Sequence, residues 1–280
     1  MSASDIEIAP LSGSLGAEIH GVDIACAPSD RQIAQIRQAL VDHGVVFFRD
    51  QDFDAEQHKR FARRFGDIFI HPNFDPDRGD PEVVDLVREP GDSRIVGEEW
   101  HSDTTMMPAP PMGAILYGVE IPPYGGDTLF ASQQLAYETL PAHLRQAVEG
   151  RRAAHSYTAR YRDEVFSGVR RPTLTAAQLA EVQAVEHPMV RIHPETGRKG
   201  LFVNENFTTH ILGIPEDESR QILAELFAHS ARPEFIYRHQ WQPHDMVFWD
   251  NRALIHLATG CPSHQRRHMH RTTIQGSAPL

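Results

Sequence analysis

The chain has 280 residues, 40% of them hydrophobic and 23% charged, with a formal net charge of −11. That length suits one large domain or two small ones with an ample core, and the acidic balance argues against nucleic acid or an anionic membrane as the main partner. Cys26 and Cys261 are too few and too far apart for a disulfide framework or a cysteine zinc site, which points to a reducing, cytoplasmic setting.

The first residues lack a basic stretch followed by a continuous apolar one, so no secretory leader is expected. No apolar run approaches the length of a membrane span. Residues 6–24 read as short strands broken at Gly13, Gly16 and Gly21. Ser29 or Asp30 can cap a helix on which Ile33, Ile36, Leu40 and Val41 recur at helical spacing, and Gly44 stops it. Residues 45–48 follow as a buried strand. Asp54 can cap a second helix carrying Phe61 and Phe65 and ended by Gly66. The text then changes to short apolar or alternating runs at 83–86, 114–119, 189–192, 201–203, 235–239, 246–249 and 270–274, separated by Pro, Gly, Asn and Asp. Helical patches interrupt them at 132–149, divided by Pro141, and at 216–230, with Ile222, Leu223, Leu226 and Phe227 on one face. Strands spaced by turn signals predict a mainly β chain with flanking helices around a double-stranded β-helix, a jelly-roll or cupin-like core. No repeat or low-complexity linker divides it, so one domain over 1–280 is expected. Of the 17 histidines, His58, His143 and His229 lie on predicted helices among polar neighbours and are expected at the solvated surface.

His101 and Asp103 stand two residues apart. In a strand that spacing points both side chains to one face, where they can share an ion. Imidazoles with a hard carboxylate suit Fe(II), Mn(II) or Zn(II). The tripeptide alone is weak, because short motifs arise often by chance. A distant third ligand strengthens it, and His256, His264 and His270 compete for that role. His256 is preferred, because it follows a Val-Phe-Trp strand and leaves Arg267 and Arg271 for the next one. The set His101, Asp103 and His256 is that of a 2-His-1-carboxylate facial triad, which holds non-heme Fe(II) on one face and leaves the other open to substrate and O2.

Arg267 and Arg271 are four apart, so a strand would place them on one face with Met269. A buried face with two guanidiniums calls for anions, and the arginine fork matches a carboxylate bidentately. Beside a facial triad this points to a dicarboxylate cosubstrate. Thr128, after Gly125-Gly126-Asp127, supplies a hydroxyl at the start of a following strand. Taken apart from the metal motif, the same residues read as surface charges and an ordinary turn.

The ordered run of motifs is more specific than any one of them. Trp100-His101-Ser102-Asp103, the stretch Pro122 to Phe130, Ala136 to Pro141, Gly197 to Asn204, Phe207 to Ile211, and Trp249-Asp250-Asn251-Arg252 together resemble the taurine dioxygenase / 2,4-dichlorophenoxyacetate dioxygenase family over nearly the whole chain. The resemblance implies that His101, Asp103 and His256 bind Fe(II). It implies that Arg267 and Thr128 hold the distal carboxylate of 2-oxoglutarate, with Arg271 near the proximal carboxylate and the substrate anion. His71 takes the place of a sulfonate-contacting histidine, and His71, Phe74, Met106, Phe207 and Arg271 are expected around the substrate. The family activates O2 at iron, converts 2-oxoglutarate to succinate and CO2, and hydroxylates a carbon beside sulfur or oxygen, after which the product collapses and releases sulfite, sulfate or a phenol. A small anionic organic substrate and a homo-oligomer, dimer or tetramer, are expected.

The departures from the taurine pattern bear on the substrate. Arg94 to Trp100 reads RIVGEEW where taurine enzymes are rich in Asn, Met106-Met107 stands where they have an aromatic, and Phe74 replaces a Tyr. Fewer polar groups and more Met and Phe suggest a roomier, more apolar pocket. An alkanesulfonate or alkyl sulfate is expected first and an aryloxyalkanoate second; amino-acid hydroxylation is the rival within the family. A jelly-roll binding protein and a zinc hydrolase are rivals outside it, and neither explains Arg267 beside Thr128. The segments 75–92 and 160–175, rich in Gly, Pro and charge, are expected to be loops that close over the site.

Overall fold

The computed structural model describes residues 6–71, 79–92, 97–157 and 183–280. Phe74, the start of the loop expected at 75–92 and the whole of that expected at 160–175 lie outside the described residues.

The runs Val45–Phe48 (β3), Gly113–Glu120 (β5) and Met246–Asp250 (β13) are nearly continuous apolar text and are buried along almost their whole length. Alternation explains why they are apolar throughout. Val45, Phe47, Ala114, Leu116, Val247 and Trp249 face one cluster, while Val46, Phe48, Ile115, Tyr117, Met246 and Phe248 face another. A strand covered on both faces has no position left for a polar residue. These strands form the middle of a seven-stranded sheet. Glu7–Pro10 (β1) and Ala17–His20 (β2) extend it at one end, and Arg267–Ile274 (β15) and Val84–Arg88 (β4) at the other, in the order β1-β2-β3-β13-β5-β15-β4.

One face of that sheet is covered by two helices. Asp30–His43 (α1) begins at a capping box between Ser29 and Gln32 and ends at Gly44, whose φ of 70° only glycine adopts without strain. Ala55–Ala62 (α2) begins at a second capping box, Asp54 with Gln57. It stops before Phe65, which sits in the following turn and still packs edge-on against Phe248 at 4.9 Å between centroids. The other face meets a small sheet, Ile236–His239 (β12), Thr128–Ser132 (β6) and Leu254–Ala258 (β14), all antiparallel. Phe130, Tyr237 and Leu254 from it close on Phe47, Trp249 and Met269. Two sheets face to face make the jelly roll that the strand text predicts.

A third layer flanks it. Gln133–Glu138 (α3) and Ala142–Val148 (α4) are separated at Pro141, and Glu216–Ser230 (α5) packs Leu223 and Leu226 into their cluster. Arg152–His155 (β7) pairs with Val185–Pro188 (β8) and Thr208–Ile211 (β11), while Val190–Ile192 (β9) pairs with Lys199–Leu201 (β10). No described helix is long and apolar enough to cross a membrane.

Two histidine expectations are overturned. His58 and His229 are buried. His58 stands on the inward side of α2, edge-on to Phe53 at 5.4 Å, and His229 on α5 reaches the Ala136 carbonyl at 2.9 Å. His143 is exposed, as expected.

Candidate metal centre

His256 lies within β14, opposite Phe130 of β6. The sequence placed it just past a strand, whereas it has a strand of its own. Backbone pairing carries His101 to it: the His101 amide donates to the His256 carbonyl at 3.0 Å, and the His256 amide to the His101 carbonyl at 2.7 Å. After this single bridge the chain turns, and Thr104 takes a φ of 40°. Asp103 therefore reaches the imidazoles from a turn. The same-face strand geometry expected for His101 and Asp103 is not what joins them; a bridge followed by a tight turn does so. His101, Asp103 and His256 are all buried, and their ligand atoms lie within 4.8 Å of one another.

Each group is held in the state a metal needs. His101 Nδ1 is 2.7 Å from the Glu99 carbonyl, and as the donor there it leaves Nε2 with a lone pair. Burial pushes the His256 imidazole well below its ordinary value, and nearby His101 adds to this, so His256 is neutral near pH 7. For Asp103, burial works to raise the carboxyl, but the Arg271 guanidinium bonded to it prevails and holds it well below the usual carboxylate range. The two oxygens of Asp103 divide the work. Oδ2 accepts from Arg271 Nη2 at 2.6 Å and from Asn251 Nδ2 at 2.9 Å. Oδ1 faces His256 Nε2 at 3.6 Å and His101 Nε2 at 3.9 Å. Two nitrogen lone pairs and one anionic oxygen thus converge on a point, a donor set that fits a divalent transition ion.

Asn251 carries more than the motif reading assigned to it. Its Oδ1 accepts from Trp249 Nε1 at 3.0 Å, its carbonyl accepts from Ser102 Oγ at 2.9 Å, and its amide side chain holds Asp103. The neighbouring Asp250 binds His193 at 3.0 Å and Arg252 through both oxygens, at 2.8 and 2.7 Å. The turn that presents Asn251 is therefore braced from both sides.

Arg267, Met269 and Arg271 share one face of β15, as expected: Arg267 lies over the Trp241 ring at 5.8 Å and Arg271 over the Trp249 ring at 5.4 Å. Burial pushes Arg267 down to about 10. Its Nε is buried with no partner among the described residues, and its Nη2 makes only a long bond of 3.4 Å to the Gly126 carbonyl. A Cβ on Gly126 would stand 3.2 Å from Arg267 Nε, and φ there is +73°, so glycine is required for the guanidinium to lie where it does. Thr128 opens β6, and its Oγ1 accepts from Trp241 Nε1 at 3.0 Å, which leaves its proton to donate. A buried cation with unused donors and a hydroxyl with a proton to donate, both set against Trp241, fit a carboxylate.

The expected substrate residues are partly gathered. Burial lowers the His71 imidazole and the Arg271 charge lowers it further, so the field of Arg271 reaches His71. Met106 and Met107 are half-buried on the turn after Asp103 and, among the described residues, belong to none of the apolar clusters. Phe207 is buried, and its amide donates to Asn204 Oδ1 at 2.9 Å. Asn204 in turn donates to Thr105 Oγ1 at 3.1 Å, where His155 Nδ1 also bonds at 3.0 Å. This network ties the Phe207 loop to the metal turn. The sequence offered no sign of it beyond residue types.

The sequence model of the taurine catabolism dioxygenase TauD, TfdA family matches residues 7–273. The chain belongs to this family. An alkylsulfatase of Acinetobacter baylyi is 34% identical to it over 97% of this chain and 85% of its own length. The alpha-ketoglutarate-dependent 2,4-dichlorophenoxyacetate dioxygenase of Cupriavidus pinatubonensis is 31% identical over 96% of this chain and 97% of its own. The crystal structure of a taurine dioxygenase from Burkholderia xenovorans superposes with a TM-score of 0.81 at 38% identity, covering 98% of this chain and 92% of that one. As a member of the TauD, TfdA family the chain is a non-heme iron dioxygenase that uses Fe(II), 2-oxoglutarate and O2.

Proposed function

We propose that this dioxygenase hydroxylates the carbon next to the heteroatom of a small organic anion, an alkyl sulfate or alkanesulfonate with an apolar tail, and so releases sulfate or sulfite with an aldehyde. In this reading His101 Nε2, Asp103 Oδ1 and His256 Nε2 hold the iron, and Arg267 with Thr128 holds the distal carboxylate of 2-oxoglutarate. The observation that carries the substrate class is Arg271, which bonds Asp103 beside the metal residues and whose charge reaches His71. Arg271 has one nitrogen on Asp103 and a buried Nε without a partner among the described residues. The half-buried Met106 and Met107 supply flexible apolar surface next to that anion site.

Bound iron with 2-oxoglutarate and O2 supplies the oxidant that removes hydrogen from the substrate carbon. The chain's own residues position and shield. Arg271 and His71 fix the anionic head, so that only the adjoining carbon is presented to the metal face. Asn251 and Arg271 keep Oδ2 of Asp103 occupied, which leaves Oδ1 as the single carboxylate donor. Trp249, Phe130 and the other buried rings around His256 keep water from the centre. For an alkyl sulfate the balance is R–CH2–OSO3⁻, 2-oxoglutarate and O2 giving R–CHO, HSO4⁻, succinate and CO2.

The alkylsulfatase relative supports the sulfate ester, and the 2,4-dichlorophenoxyacetate dioxygenase relative supports an aryloxyalkanoate as the second reading. Succinate formation with a panel of alkyl sulfates, alkanesulfonates, phenoxy acids and free amino acids tests both. The greatest stimulation is expected from the sulfur anions. Stimulation by phenoxy or amino acids alone would overturn the sulfur reading. The proposal also includes a cytoplasmic homo-oligomer, dimer or tetramer, supported by the absence of a disulfide between Cys26 and Cys261 for the compartment only.

A further inference from the structure

β15 alternates. Arg267, Met269 and Arg271 face the metal centre, and His268 and His270 therefore face the opposite side of the sheet. There they meet Asp85 of the edge strand β4, which is in register with His270. Both histidines turn Nε2 to the same oxygen: His268 Nε2 is 2.6 Å and His270 Nε2 3.2 Å from Asp85 Oδ1, with the rings 5.0 Å apart. Besides His101, Asp103 and His256, this is the one group among the described residues whose His, Cys, Asp or Glu ligand atoms converge within 4.8 Å.

From this convergence we infer that Asp85, His268 and His270 form a second divalent-metal site, for Zn(II) or a similar transition ion, that staples β4 to β15. The chemistry selects the ion. Two imidazoles and one carboxylate suit Zn(II), Ni(II) or Cu(II), whereas Mg(II) and Ca(II) prefer oxygen donors only. Ligands about 2.1 Å from a tetrahedral zinc stand roughly 3.4 Å apart. His270 already matches that spacing to Asp85, and His268, whose side chain is one-fifth exposed, needs only a small rotation outward. Solvent completes the open fourth position. Among the described residues β4 pairs only with β15, so a metal here anchors the edge of the sheet behind Arg267 and Arg271.

Metal analysis of the full chain after removal of metals and dialysis against Zn(II) near neutral pH tests this, because zinc also enters the facial triad. Wild type is expected to hold two equivalents and His268→Gln/His270→Gln one. His101→Ala/His256→Ala is expected to hold one, and to gain thermal stability on adding Zn(II). The same gain is expected to vanish when His268→Gln and His270→Gln are added. Asp85→Asn, at an exposed position, gives the milder version if the double substitution impairs folding. One equivalent in wild type, or an unchanged stoichiometry in both His268→Gln/His270→Gln and Asp85→Asn, would overturn the assignment.

Discussion

Asn251 Nδ2 donates to Asp103 Oδ2 at 2.9 Å, although 148 residues separate the two in the chain. The bond leaves Oδ1 as the oxygen that faces the two imidazoles. Groups that orient a metal ligand in this way are commonly worth about 10- to 100-fold in metal affinity. Asn251→Ala is therefore expected to weaken Fe(II) binding by about that factor, with 2-oxoglutarate affinity measured at saturating iron little changed. An Fe(II) titration that gives the wild-type affinity would remove Asn251 from the account.

Arg267 presents a buried Nε without a partner among the described residues, and like the Thr128 hydroxyl it stands against Trp241. A charge-assisted hydrogen bond is worth about 1.5–3 kcal/mol, or roughly 10- to 150-fold. Arg267→Lys keeps the charge but loses the fork. It is expected to raise KM for 2-oxoglutarate by roughly 10-fold or more, with Fe(II) binding intact. Steady-state kinetics varying 2-oxoglutarate decides it, and an unchanged KM would place the cosubstrate carboxylate elsewhere.

His71 lies close enough to Arg271 for its proton affinity to be lowered by that charge. His71→Ala is expected to raise KM for the anionic substrate by about 5- to 10-fold, the worth of one hydrogen bond of about 1 kcal/mol or slightly more. Turnover of 2-oxoglutarate without substrate should stay as in wild type. A fall in that uncoupled rate as well would assign His71 to the metal centre.

Much of the fold was legible because its signals are local. Ser29 with Gln32 and Asp54 with Gln57 are capping boxes readable within four residues, and both open the helices expected there. The runs at 45–48, 114–119 and 246–249 are apolar throughout because both faces are covered, and this too can be read from text. β14 was not, since LIHLA is short and carries a histidine at its centre. Motif order picked out three candidate ligands that the structure brings together, but their geometry was not legible. Asp103 arrives through a turn at Thr104, and the bonds from Asn251 to Asp103 and from Asn204 to Thr105 join residues with no local signature. His58 and His229 show the same limit, for a polar side chain on the buried side of a helix looks like any other helical histidine.

His58 also gives a pH signature. Burial, with a smaller contribution from His270, pushes it down to about 3 in the folded chain, against about 6.5 unfolded. Between these values the unfolded state binds more protons, so stability is lost as pH falls below about 6.5. The slope is at most about 1.4 kcal/mol per pH unit for this one proton. With metals removed, His58→Phe is expected to flatten the fall of Tm between about pH 6 and 4. An unchanged slope would show that other groups set the acid limit.

Asp103, with His101 and His256, is proposed to hold the iron beside which 2-oxoglutarate binds. Anaerobic addition of Fe(II) and 2-oxoglutarate, followed by visible absorption, tests it most directly. The wild-type chain is expected to develop a metal-to-ligand charge-transfer band at one iron per chain, and Asp103→Ala to show none while keeping its fold by circular dichroism. A band of wild-type intensity in Asp103→Ala would contradict the account.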